Sequence, residues 1–161
     1  MILYNTFGKQ AEQSIWPKLH YISLGITMAL YALALFMPAL ETKKELLLGS
    51  DLLLYGIFSI ISDLSLFFIW LSNLLFFISL ALNLGRVFHP LVLLLSLIAT
   101  ILGCLMMVKG EIVGDIDIPI VHYHWGYYAW IASYVGSLLS SLIGLGARKS
   151  VKRIPGWGTK P

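Results

Sequence analysis

His122 and His124, two apart in the stretch VHYHWGYYAW, are the residues of this chain best placed by type to do chemistry. On an extended strand, side chains two apart share a face, so both imidazoles could address one cation. Asp115 and Asp117, a few residues upstream, would add oxygen ligands. No further ligand follows at a recognisable spacing. The same stretch has a plainer reading. Tyr123, Trp125, Tyr127, Tyr128 and Trp130, with Trp16 near the other end of the chain, are aromatics of the kind that hold membrane helices at the headgroup level. Histidine is at home in that zone. The belt is therefore the expected role. No metal is expected, and His122 and His124 are the candidate ligands if one is bound.

Haem would need two histidines at one depth on facing helices. His20 and His89 both sit at the ends of apolar runs, where interfacial histidines are ordinary, and no haem is expected. The runs also carry organised polar residues. His20, Ser23, Thr27 and Tyr31 fall on one helical face, and Ser96, Thr100 and Cys104 are four apart. Ser133, Ser137 and Ser141 form one row near the C-terminus, and Gly136, Ser140 and Gly144 form another. Such rows either line a polar pathway or let helices approach closely and exchange hydrogen bonds, and the second use is commoner. Asn73, three residues after Trp70, is a strongly polar side chain deep in an apolar run. Its amide needs a partner, either inside the bundle or on another subunit.

Several chemistries are missing. No Asp, Glu, Lys or Arg lies in the middle of an apolar run, where ion-coupled carriers and pumps keep ionisable groups. There is no nucleophile elbow, phosphate-cradling glycine loop or zincin motif. A single cysteine, Cys104, cannot form a dithiol relay or an intrachain disulfide.

The elements that must position these residues are membrane spans. Of the 161 residues, 58% are hydrophobic and 12% charged, and the mean hydropathy is +0.85. A soluble domain carries about 25% charged residues. A spanning helix needs about 20 apolar residues. The runs at 19–39, 66–84, 91–108 and 125–146 meet that length or approach it. The expectation is an all-α, four-span bundle forming one membrane domain over 1–161, with tails at 1–18 and 147–161. Pro38 helps to end the first span, and the second and third form a tight hairpin.

Basic residues set the orientation. Lys9, Lys18, Arg86, Arg148, Lys149, Lys152, Arg153 and Lys160 lie on the side of the termini, against Lys43, Lys44 and Lys109 on the other. Both termini are expected in the cytoplasm. This clustering beside the last span is a topology signal, so no nucleic acid is expected as a partner. The first outer loop, 41–63, is too apolar to be free and too interrupted by charge to span. It reads as a short interfacial helix, or one packed over the end of the bundle. In the second outer loop, 109–124, the alternation IVGDIDIPIV suggests an extended segment.

The segments MPALE, WLSNLLFF and GYYAWIASY resemble parts of small four-span inner-membrane proteins of bacteria, from families with no assigned activity. The resemblance implies a bacterial cytoplasmic-membrane protein and carries no activity with it. The leading expectation is a non-enzymatic subunit that binds the bilayer and another membrane protein, or a further copy of itself, as an accessory, assembly or immunity factor. Docking is expected through Gly136, Ser140 and Gly144 of the fourth span and the outer loops around Tyr55 and Trp125. Ser133, Ser137, Trp70 and Asn73 are the further packing residues. A small channel or carrier lined by the hydroxyl rows is the alternative, and a haem or metal redox protein is the third reading.

Overall fold

A computed structural model describes residues 3–85, 90–109, 111–112 and 118–151. Four of its helices are long and apolar enough to cross a membrane: Ile15–Phe36, Leu64–Leu84, Pro90–Val108 and Trp125–Gly146. The full helices are α1 (Leu3–Phe36), α2 (Gly49–Ser62), α3 (Leu64–Leu84), α4 (Pro90–Lys109) and α5 (Trp125–Val151). The all-α four-helix bundle is thus the architecture. At the start of the chain the boundary differs from expectation, because α1 runs back through Pro17 into the supposed tail.

The bundle is inverted relative to a soluble protein. Between 28% and 39% of the residues in each span are buried inside the chain, and the outward faces carry Ile22, Ile26, Leu33, Leu94, Ile101 and Leu139. Among the described residues the interior holds fourteen buried polar side chains beside fifteen buried apolar ones. Lipid solvates the apolar exterior, so close packing and hydrogen bonds, rather than hydrophobic burial, hold the helices together. The most extensive helix pairing is α1 with α5, followed by α3 with α4 and α4 with α5.

At one end the two loops on that side join into a four-stranded antiparallel sheet, which the sequence reading did not contain. Its strands are β1 (Pro38–Thr42), β2 (Leu46–Leu48), β3 (Glu111–Ile112) and β4 (Ile118–Tyr123), in the order β2-β1-β4-β3. Pro38 is therefore the first residue of β1, a position where its missing N–H costs little. Thr42 builds the hairpin turn. Its hydroxyl donates to the Glu45 carbonyl at 2.9 Å and accepts from the Glu45 N–H at 3.0 Å. The extended segment expected in the second loop is β4, and its partner β1 comes from the first loop.

The interfacial helix expected across 41–63 is shorter than that, since the hairpin takes up its first third. What remains is α2, packed on α3 as the first arm of a helical hairpin. Asp63 makes the corner: its Oδ1 accepts from the N–H groups of Ser65 at 2.9 Å and Leu66 at 3.1 Å, an N-cap for α3. Two glycines let the sheet end close. A Cβ on Gly49 would lie 2.1 Å from the Ala34 carbonyl oxygen, and one on Gly126 would lie 2.5 Å from that of Pro38.

Candidate functional site

The bundle interior contains two hydrogen-bonded layers. Near the sheet, Asn73 is 3% exposed and its Oδ1 accepts three bonds: from the Tyr31 hydroxyl at 2.8 Å, the Tyr134 hydroxyl at 2.9 Å and the Trp130 indole N–H at 3.0 Å. Trp130 can only donate, which fixes the orientation of the amide. Asn73 Nδ2 then donates to the Trp70 carbonyl at 3.1 Å. Ser72 lies 3.0 Å from the Tyr134 oxygen and is free to donate to it. One amide thus ties α1, α3 and α5 together, and so finds its partners within the chain.

The second layer lies towards the terminal end. The Ser79 and Ser96 hydroxyls are in contact, Ser79 reaches Ser137 at 3.1 Å, and Ser96 reaches Ser141 at 3.1 Å. Asn83 Nδ2 donates to Ser141 at 2.9 Å, and Ser23 pairs with Ser140 at 2.7 Å. His20, 1% exposed, sits between two backbone carbonyls: Nδ1 is 3.0 Å from Ser140 O and Nε2 is 3.3 Å from Asn83 O. Many of these hydroxyls also donate to the carbonyl four residues back, as Thr27, Thr100 and Ser140 do. That habit keeps a lone hydroxyl satisfied inside a helix.

Between the layers lies an apolar partition. Phe76, 1% exposed, stacks on Tyr31 at 4.8 Å and tilts against Tyr134 at 5.1 Å, with Leu24, Leu80 and Ala99 in the same cluster. The hydroxyl rows therefore form two separate networks, not one continuous file.

The residues expected to dock a partner on the last span are spent internally. Ser133, Ser137 and Ser140 are fully buried, Gly144 is buried, and a Cβ on Gly136 would lie 2.5 Å from Thr27 Oγ1. This corrects the docking role given to Gly136, Ser140 and Gly144, because the face they form is covered by α1. Asn73 is closed off in the same way. Trp70 is half-buried and lines a cleft beside α2.

The aromatic belt divides in two. Trp125 is 76% exposed and Tyr128 is also exposed, as a belt requires, while Trp16 is half-buried on α1. Tyr127 is fully buried and donates to the Gly103 carbonyl at 3.1 Å, Tyr123 donates to the Met106 carbonyl at 2.9 Å, and Trp130 bonds Asn73. Tyr127 is a core residue with Tyr123 and Trp130 packed against the same cluster, and a helix beginning at Trp125 turns positions 127, 130 and 134 inward together. Burial pushes the Tyr123 hydroxyl upwards, with Tyr128 adding to the effect, so it stays a donor.

Among the described residues the histidine pair does not assemble a ligand set. His122 is exposed opposite Glu41 in the β1–β4 ladder, and His124 Nε2 lies 3.1 Å from Glu41 Oε2. Among the described residues no three His, Cys, Asp or Glu side chains come together. Asp115 and Asp117 lie outside the described residues, as does His89. His20 is buried between the Ser140 and Asn83 carbonyls, so ligating an iron would first break that junction. The His124–Glu41 pair is too exposed to matter greatly to folding. His124→Ala is expected to change stability by no more than about 0.5 kcal/mol in a detergent melt.

Sequence reading missed Ser72, Ser79 and Asn83, although a signal was present. They fall at i, i+7 and i+11 on α3, the same spacing that marked the polar face of α1. The redundancy of the hydroxyl layer gives a further prediction. Ser96→Ala is expected to cost at most about 1 kcal/mol, because the Ser79–Ser137 and Asn83–Ser141 bonds survive it. No protein-family model, curated protein or solved structure matches the chain.

Proposed function

We propose that this chain is a non-enzymatic integral membrane subunit that docks a protein partner on its sheet end. It belongs in this reading to a bacterial cytoplasmic membrane, with both termini in the cytoplasm. The observation that carries the proposal is the sheet. The chain uses both of its loops on that side to build one four-stranded platform, although short turns would suffice to connect the helices. Around it stand exposed side chains suited to a protein surface: Trp125, Val121 and Tyr128 beside β4, and Leu46 and Leu48 on the edge strand β2. A short edge strand can accept another chain's backbone, and aromatic side chains are the residues most often found as anchors of interfaces. The Asn73 cluster and the hydroxyl layer offer no competing site, because their groups are turned towards one another. The count of eight basic residues on the terminal side against three on the other supports the orientation.

The test is purification in mild detergent with the co-purifying proteins identified and quantified. A stoichiometric partner is expected, and Trp125→Ala with Val121→Asp should lower its recovery at least about tenfold without altering the melt. A partner-free preparation that turned over a substrate or moved a solute would overturn the proposal.

A further inference from the structure

We propose that the cleft between α2 and α3 is a binding site for a diacyl membrane lipid, whose ester carbonyl accepts a hydrogen bond from Trp70 Nε1. Leu52, Tyr55 and Gly56 form one wall, Leu66, Ile69 and Trp70 the other, and Met106 and Trp130 close the inner end. Two tryptophans border this space. The indole N–H of Trp130 is bonded to Asn73, whereas that of Trp70 is buried and has no partner among the described residues. A donor with no acceptor in a low-dielectric setting is costly, and the remaining lining is almost wholly apolar. The chemistry that completes the site is therefore an acceptor carried on an apolar body.

Depth and width narrow the choice. Trp70 is six residues into α3, about 9 Å from its sheet-side end at 1.5 Å per residue. That is the depth of the boundary between headgroups and acyl chains, about 5–10 Å below the surface, where glycerol ester carbonyls lie. The cleft is narrow, with about 20 Å³ open to the centre of a water-sized group. A methylene chain or its carbonyl can enter it. The opposite face of α2 is apolar and exposed, with Leu54, Phe58 and Ile61 at 57%, 70% and 90%. Gly56 keeps the site open: a Cβ there would lie 2.2 Å from Trp70 Cδ1 and push the indole aside.

The test uses full-length protein in detergent, titrated with a diacyl phosphatidylglycerol and with its diether analogue of identical headgroup and chains, and read by native mass spectrometry. The wild type is expected to retain the diacyl lipid at least fivefold better than the diether. Trp70→Phe keeps an aromatic ring beside Phe67, on which the indole stacks at 5.7 Å, and removes the donor, so it should abolish the difference between the lipids. Gly56→Ala should weaken both. If Gly56→Ala fails to fold, the comparison of Trp70→Phe with wild type decides alone. Equal retention of the two lipids by wild type would overturn the proposal. So would an ester preference that survives Trp70→Phe, or no retention of either lipid, which would leave a water or nothing on the indole.

Discussion

Asn73→Leu is expected to destabilise the bundle by about 3 kcal/mol, measured by thermal or denaturant unfolding in detergent. Leucine has the same branched heavy-atom skeleton, so shape alone would predict a smaller change. The cost arises from three donors that lose their acceptor together: Tyr31, Trp130 and Tyr134. Each interhelical bond in a membrane is worth about 0.6 kcal/mol, but a buried donor left without a partner costs about 1–3 kcal/mol. Tyr134 can recover by turning to Ser72, whereas the acceptor of both Tyr31 and Trp130 is Asn73 itself. Asn73→Asp keeps an oxygen at the position of Oδ1 and should restore more than half of the loss. A leucine variant as stable as wild type would show that the amide holds nothing together.

Gly49→Ala is expected to cost about 3 kcal/mol or to prevent folding, despite being the smallest possible change at a helix start. Alanine usually improves a helix by about 1 kcal/mol over glycine. Here the added methyl would fall 2.1 Å from the Ala34 oxygen and 2.8 Å from its carbonyl carbon. The obstacle is backbone of α1, which cannot rotate away as a side chain can. Relief would require α2 to lift from α1, weakening the β1–β2 hairpin that leads into it. Gly25→Ala is the matched control, since nothing lies within 4 Å of a Cβ there. It should be neutral or stabilising by up to about 1 kcal/mol in the same melt. Equal effects at the two positions would mean that propensity, not close approach, governs both.

The two results probe different parts of one design. In lipid the apolar surface gains little by turning inward, so the interior is organised by hydrogen bonds and by contact distance. Asn73 illustrates the first and Gly49 the second. The same logic explains why residues that look like a docking face in the sequence are internal. The small-residue row of Gly136, Ser140 and Gly144 packs closely, and the helix it meets is α1 of the same chain.

The amino-acid sequence by itself determined the spans and their number. Hydropathy over about 20 residues is set by transfer to hydrocarbon, a local property that needs no knowledge of neighbours. It also marked the polar faces of α1 and α5, because helical periodicity is written along one segment. Tertiary structure alone decided which polar residues meet. Ser72, Ser79 and Asn83 acquire their meaning from Tyr134, Ser96 and Ser141, 17 to 62 residues away. It decided that Tyr127 and Trp130 turn inward while Trp125 and Tyr128 face out, since a belt and a core aromatic are the same residue type at different helical angles. Above all it made the sheet. β1 and β4 are about 80 residues apart and pair across the gap between two loops, each of which alone is a short irregular stretch. Strand pairing is a contract between distant backbones, and neither partner's sequence names the other.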